Sequence, residues 1–149
     1  MNHADDNSGL WVAKYPIYPT DDPNTMTSSY AEIRLAEVYY SLAECKFRAG
    51  DKAGAAVLLN AVRKRNYPAG SPSLYLASGV QLSEQEMLDE WGREFLLEGR
   101  RRIDLIRWGK FNTGKWWDKE PDNDDHTKIY PIGQEVISLS PQLKQNPGY

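Results

Sequence analysis

Two helical patterns with only two residues between them constrain this chain most. In the stretch EIRLAEVYYSLAECKF, Leu35, Tyr39 and Leu42, together with Ala36, Ala43 and Phe47, recur at steps of three and four, the spacing of one helix face. Ser29 and Glu32 stand at capping-box spacing and predict the start, while Gly50 is placed to end the helix. Asp51 is positioned to cap a second helix at once, with Ala55, Leu58, Leu59 and Val62 forming one apolar stripe through AAVLLNAVRKR. Helices joined by Gly50-Asp51 alone must pack as antiparallel neighbours.

Small residues on the second helix (Ala53, Gly54, Ala55, Ala56) allow close approach, and Tyr39, Tyr40 and Phe47 on the first fill the space. Such small-against-large pairing is typical of tetratricopeptide-like hairpins, although no full 34-residue repeat recurs. A long Pro/Gly/Ser-rich connection, YPAGSPSLYLASGVQ, follows over residues 67–81. Ser83 and Glu86 repeat the capping-box spacing, and Met87, Leu88, Trp91 and Phe95 form the apolar face of a third helix that Gly99 interrupts. Arg100 to Trp108 reads as a fourth, short helix with Ile103, Leu105, Ile106 and Trp108 apolar. The sequence thus predicts a mostly α single domain over 1–149, with tetratricopeptide-like helical hairpins and long loops. Its parts are a loop-rich lead-in at 1–28 with an extended piece around WVAKY, a helical hairpin at 29–66, a helix pair at 83–111 and a loop-rich tail at 112–149. In the tail, KIYPI has the pattern of a short strand.

With 149 residues the chain suffices for one core burying roughly 70% of its unfolded surface. Lys and Arg number 18 against 21 Asp and Glu, a net charge of -3 that argues against a nucleic-acid footprint. Cys45 is the one cysteine, so no intrachain disulfide forms, and inside a helical pattern it reads as a small, partly buried apolar residue. No apolar run approaches a membrane span, and MNHADDNSGL has neither the basic nor the apolar region of an export signal.

The stretch EGRRRIDLIRWGKF gathers four arginines and two acids. On a continuous helix Glu98 reaches Arg101 and Arg102, Arg100 reaches Asp104, and Asp104 reaches Arg107. Glu98, Arg101, Asp104 and Arg107 are therefore expected to form structural ion pairs. The sharper chemistries find little support. Glu94 and Glu98 have the separation of a glycosidase pair, but so do many solvated acids. Asp118, Glu120, Asp122 and Asp124 alternate as in a calcium loop, yet Asn123 stands where an EF-hand needs glycine and Ile129 where it needs glutamate. His3 and His126 are too few for a metal cluster, and no phosphate loop or nucleophile elbow occurs, so no catalytic residue, metal or cofactor is expected. The remaining signal is aromatic. Trp116 and Trp117 follow Thr113-Gly114-Lys115, beside Asn112 and Asp118, a mixture of flat faces and polar groups suited to a sugar. The competing expectation is that one or both rings cap the helical core.

The run REFLLEGRRRIDLIRWGKF, then WW, YPI and the terminal LKQNPGY, resembles the carboxy-terminal part of the SusD/RagB family. EIRLAEVYYSLAEC with AGDKAGAAVLLNAVRKR resembles that family's tetratricopeptide-like helix pair, so the likeness runs from about Ile33 to Tyr149. Departures are modest: Arg100 stands where histidine is common, Gly133 where proline follows PI, and SLSPQL replaces a more usual asparagine-proline step. The resemblance implies a surface-exposed outer-membrane lipoprotein of Bacteroidetes that binds a glycan or other nutrient, partners a TonB-dependent transporter and is not an enzyme. It also implies a longer parent, whose signal peptide, lipid-bearing cysteine and most ligand contacts precede the part seen here. The arginine motif and QNPGY carry over as scaffold, whereas Trp116, Trp117, Asn112 and Asp118 as ligand contacts rest on residue chemistry alone. The alternative is a helical protein-interaction module without ligand binding of its own.

Overall fold

The computed structural model describes residues 14, 15, 18, 27–117 and 119–149. Most of the extended piece around WVAKY lies outside them. Among these residues five α-helices follow in order: α1 (Leu35–Arg48), α2 (Lys52–Arg63), α3 (Glu84–Glu94), α4 (Arg101–Arg107) and α5 (Gln134–Leu139), with a 3-10 turn (His126–Lys128) before α5. The fold is mostly α and has no strand among the described residues; the nearest approach is one antiparallel bridge between Trp116 and Lys119.

α1 and α2 form the expected hairpin, and the Asp51 side chain accepts from the Gly54 N–H at the start of α2. The start of α1 differs from the expectation. It begins at Leu35 after an extended Arg34 (φ -138, ψ 158), not at Ser29. Extended backbone at Arg34 aims its guanidinium across the fold at Glu94 and Glu98, a union that continuing the helix upstream would forfeit.

The buried face of α1 is also rotated from the anticipated stripe. Ala36, Tyr40 and Ala43 are buried, with Tyr39 and Phe47 packed at the edge, while Leu35, Val38 and Leu42 are exposed. Tyr40 explains the rotation. Fully buried, its ring meets Trp91 edge-on at 5.6 Å and Phe95 at 5.5 Å, and its hydroxyl donates to Glu90 at 2.6 Å. Each aromatic contact adds about 1 kcal/mol beyond area burial, so directing Tyr40 inward outweighs covering a leucine. Ala55 and Ala56, both fully buried on α2, leave room for this arrangement. Cys45, expected to be partly buried, falls on the exposed side of the same helix.

The 67–81 connection is pinned to α2 by side-chain hydrogen bonds. The Asn60 carboxamide pairs with both the N–H and C=O of Tyr75, at 2.9 and 2.8 Å, and Tyr75 joins the core. Ser83 accepts from the Glu86 N–H and starts α3, whose face of Met87, Leu88, Trp91 and Phe95 is buried. α3 stops at Glu94, short of Gly99. A left-handed Leu97 (φ 61) and Gly99 (φ 68) turn the chain into α4.

The strand expected at KIYPI does not form, because side chains of the terminal motif occupy its backbone groups. Gln145 accepts from the Ile132 N–H and donates to the Ile132 C=O, each at 2.8 Å. Asn146 donates to the Tyr130 C=O at 2.7 Å, and the Tyr149 hydroxyl donates to the Ile129 C=O at 2.9 Å. Gly148 (φ 94) rests against His126, where a Cβ would clash with the ring. α5 is a further difference from the loop expected over 112–149. Short, and without a buried residue, it carries no apolar periodicity that could have marked it.

Candidate functional site

The arginine run builds a set of ion pairs across helices. Glu98, 5% exposed, was expected to pair with Arg101 and Arg102; it instead receives Arg34, through Nε to Oε2 and Nη2 to Oε1, and Lys14. The break at Gly99 is the reason, since it removes Glu98 from the α4 helix and aims it at the lead-in. Arg34 also donates to the Glu94 carboxylate and carbonyl, and Lys14 to the carbonyls of Glu94 and Leu96. Two cations thereby satisfy the free carbonyls at the end of α3.

Arg100 likewise turns away from Asp104 and pairs with Glu37. Arg101 donates to the Leu88 carbonyl at 2.7 Å and lies 3.7 Å from Asp89. Arg102 reaches the Thr127 carbonyl and stacks over Phe111 and Tyr130. Asp104, 3% exposed, accepts from Arg107 Nε at 2.9 Å, and Arg107 also binds Glu44 on α1 while lying 4.7 Å over the Trp91 ring. Burial pushes the Asp104 carboxyl above its ordinary value, against the pull of Arg107. At the core, Glu90 takes Tyr40, Arg63 and Arg93 together, and burial followed by the Glu90 charge raises the Tyr40 hydroxyl far above its usual range. Guanidinium forks suit this work, because each satisfies several oxygens in fixed geometry.

The acid–base candidates are committed to this scaffold. Arg34 bridges Glu94 and Glu98, and Arg65 adds a further contact to Glu94. In the acidic loop, Asp122 binds Lys119 and Asn112, Asp124 binds His126, and Glu120 binds Lys115. No cluster of three or more metal-ligating side chains occurs among the described residues, and both Asp118 and His3 lie outside them.

The aromatic candidates separate. Trp117 is 89% exposed and caps nothing. Trp116 does not cap the helical core either. Its six-membered ring lies against Gly114, where a Cβ would collide with it, and the Trp116 N–H donates to the Lys119 carbonyl at 2.9 Å. The core positions went to Trp91 and Trp108 instead. Asn112 is 3% exposed and donates to Asp122 at 2.9 Å and Thr127 at 2.8 Å, so it braces the 112–127 loop and does not stand beside Trp116.

Trp116 forms one wall of a cavity of about 450 Å³ between α3 and the loop after α4. Gln85, Leu88 and Asp89 come from α3, Arg101 from α4, and Lys110, Thr113 and Lys115 from the loop. In sequence these fall into two separate groups, Gln85 to Asp89 and Lys110 to Trp116, with Arg101 between them. The α3 residues carry no local sign of the association, because the turn at Leu97–Gly99 alone brings α3 beside the loop.

Among the described residues the chain is mostly helical, its buried carboxylates are engaged in holding helices together, and one indole walls a polar cavity. The chain belongs to the SusD family, whose model matches residues 2–149. It is similar to the starch-binding protein SusD of Bacteroides thetaiotaomicron, with 36% identity over 154 residues covering 95% of this chain. That alignment takes in 26% of the relative, so the chain spans about a quarter of its length.

Proposed function

We propose that this chain is part of a surface nutrient-binding protein that captures a glycan and passes it to a TonB-dependent outer-membrane transporter. The observation that carries the glycan reading is the indole of Trp116 in a polar-walled cavity, where a pyranose can stack while side chains of α3 meet its hydroxyls. Similarity to a protein named for binding starch supports the same ligand class. In this reading residues 1–149 are one carboxy-terminal domain of a longer outer-membrane lipoprotein, and binding breaks no bond. Trp117 supplies a second, open aromatic face, and Asp118, the next residue in sequence, is the proposed acceptor for hydroxyls. Asn112, with both amide hydrogens engaged, holds the loop. Titration with soluble oligosaccharides, followed by tryptophan fluorescence, tests this. A saturable change lost in Trp116→Ala supports it, and a signal that survives both Trp116→Ala and Trp117→Ala refutes it.

A second reading, a helical interaction surface, is favoured by one observation. Leu35, Val38 and Leu42 form an exposed apolar stripe on α1, with Ile33 76% exposed just before it. Both hold if this face meets the transporter while the cavity meets the ligand.

A further inference from the structure

Resting on the glycan reading above, we infer that the Trp116 cavity takes an acidic sugar, one bearing a carboxylate such as a uronate, in preference to a neutral one. Arg101, Lys110 and Lys115 bring three cations to the cavity, and Asp89 is the one acid in its wall among the described residues. Asp89 is already engaged, by Gln85 at 2.9 Å and Arg101 at 3.7 Å, and Lys115 is paired with Glu120 outside the wall. The Lys110 ammonium meets no carboxylate among the described residues. It is the charge left over, exposed and lining the cavity, and so is open to an arriving anion.

The other groups suit the rest of a pyranose. The Trp116 ring supplies the flat apolar face, held by its contact with Gly114. Gln85 donates its amide to Asp89, which leaves its carbonyl oxygen to accept from a sugar hydroxyl. An aromatic floor, one acceptor and one unpaired ammonium define a uronate better than a neutral glucose, which would leave the ammonium uncompensated.

The test compares oligogalacturonate with malto-oligosaccharide of equal length by tryptophan fluorescence, on the full chain and on Lys110→Gln and Trp116→Ala. Lys110 is exposed and contributes backbone groups to the fold, its N–H donating to the Leu105 carbonyl and its carbonyl accepting from the Gly114 N–H, so Lys110→Gln should fold normally. Oligogalacturonate should bind about fivefold tighter than the neutral sugar at low salt; that preference should vanish in Lys110→Gln and at high salt, and both ligands should be lost in Trp116→Ala. Equal affinity for the two sugars, unchanged by Lys110→Gln, overturns the acidic preference and leaves the glycan reading standing. Binding of neither sugar overturns both. Acetate alone producing the same response would show an anion site with no sugar selectivity, and would likewise overturn the inference.

Discussion

Arg34 grips Glu98 through two parallel hydrogen bonds, Nε to Oε2 and Nη2 to Oε1, each 2.8 Å long. The guanidinium also lies 4.5 Å over the Phe95 ring. One residue outside any helix thus ties the start of α1 to the end of α3. Replacing Arg34 with Ala leaves Glu98 buried with Lys14 as its remaining partner and should cost about 3 kcal/mol, read from urea denaturation. Arg34→Lys should recover less than half of that, because an ammonium cannot make the parallel pair. Equal stability of the lysine variant and the parent would show that charge alone matters here.

Asp104 is held by Arg107, and Arg107 keeps Glu44 when Asp104 is removed. Asp104→Ala should therefore lower stability by about 2 kcal/mol, roughly 6 °C in the thermal midpoint, through the loss of one charged hydrogen bond and the cavity left behind. An unchanged midpoint would mean that desolvating Asp104 costs as much as the pair returns.

The two buried carboxylates should act oppositely with pH. Burial alone would raise Glu98, but hydrogen bonds from Arg34 and Lys14 hold it below its ordinary value of 4.5. The unfolded chain then takes up a proton first as pH falls. Stability from Glu98 is thus complete above 4.5 and lost as pH drops through the lower folded value. Asp104 is raised above 3.8, chiefly by burial, so its contribution is greatest below 3.8 and declines as pH rises through the folded value. Urea midpoints between about pH 3 and 6 should show a shallower acid-side loss for Glu98→Gln and a steeper one for Asp104→Asn. Parallel profiles for both variants would contradict the assignment.

Tyr40 fills space between α1 and α3 and donates to Glu90. Tyr40→Phe removes one donor while Arg63 and Arg93 still serve Glu90, and should cost about 1.5 kcal/mol. Tyr40→Ala should cost about 4 kcal/mol, since the cavity adds to the lost hydrogen bond. A ratio near one between the two would show that the ring contributes little.

Because Glu94 and Glu98 are both engaged by Arg34, incubation with a panel of polysaccharides should release no reducing ends. Release abolished by Glu94→Gln or Glu98→Gln would refute this. In the same samples a neutral quencher should reach Trp117, which is 89% exposed, and the quenching should fall sharply in Trp117→Ala.

The hairpin of α1 and α2, the caps at Asp51 and Ser83, and the Met87–Trp91 face were legible in the sequence because each depends on residues three or four apart. Backbone geometry fixes those neighbours before any packing occurs. The family was legible too, carried by EGRRRIDLIRWG and QNPGY. What the sequence left open was which partner each charge takes. Glu98 has helical neighbours in Arg101 and Arg102 on paper, yet the left-handed turn at Leu97 and Gly99 swings it to Arg34, 64 residues away. The same turn sets α3 beside the loop of Trp116 and so makes the cavity. Local spacing offers several ion pairs of nearly equal energy, and only burial, which makes an unpaired charge costly, selects among them. That selection exists only after the helices have packed.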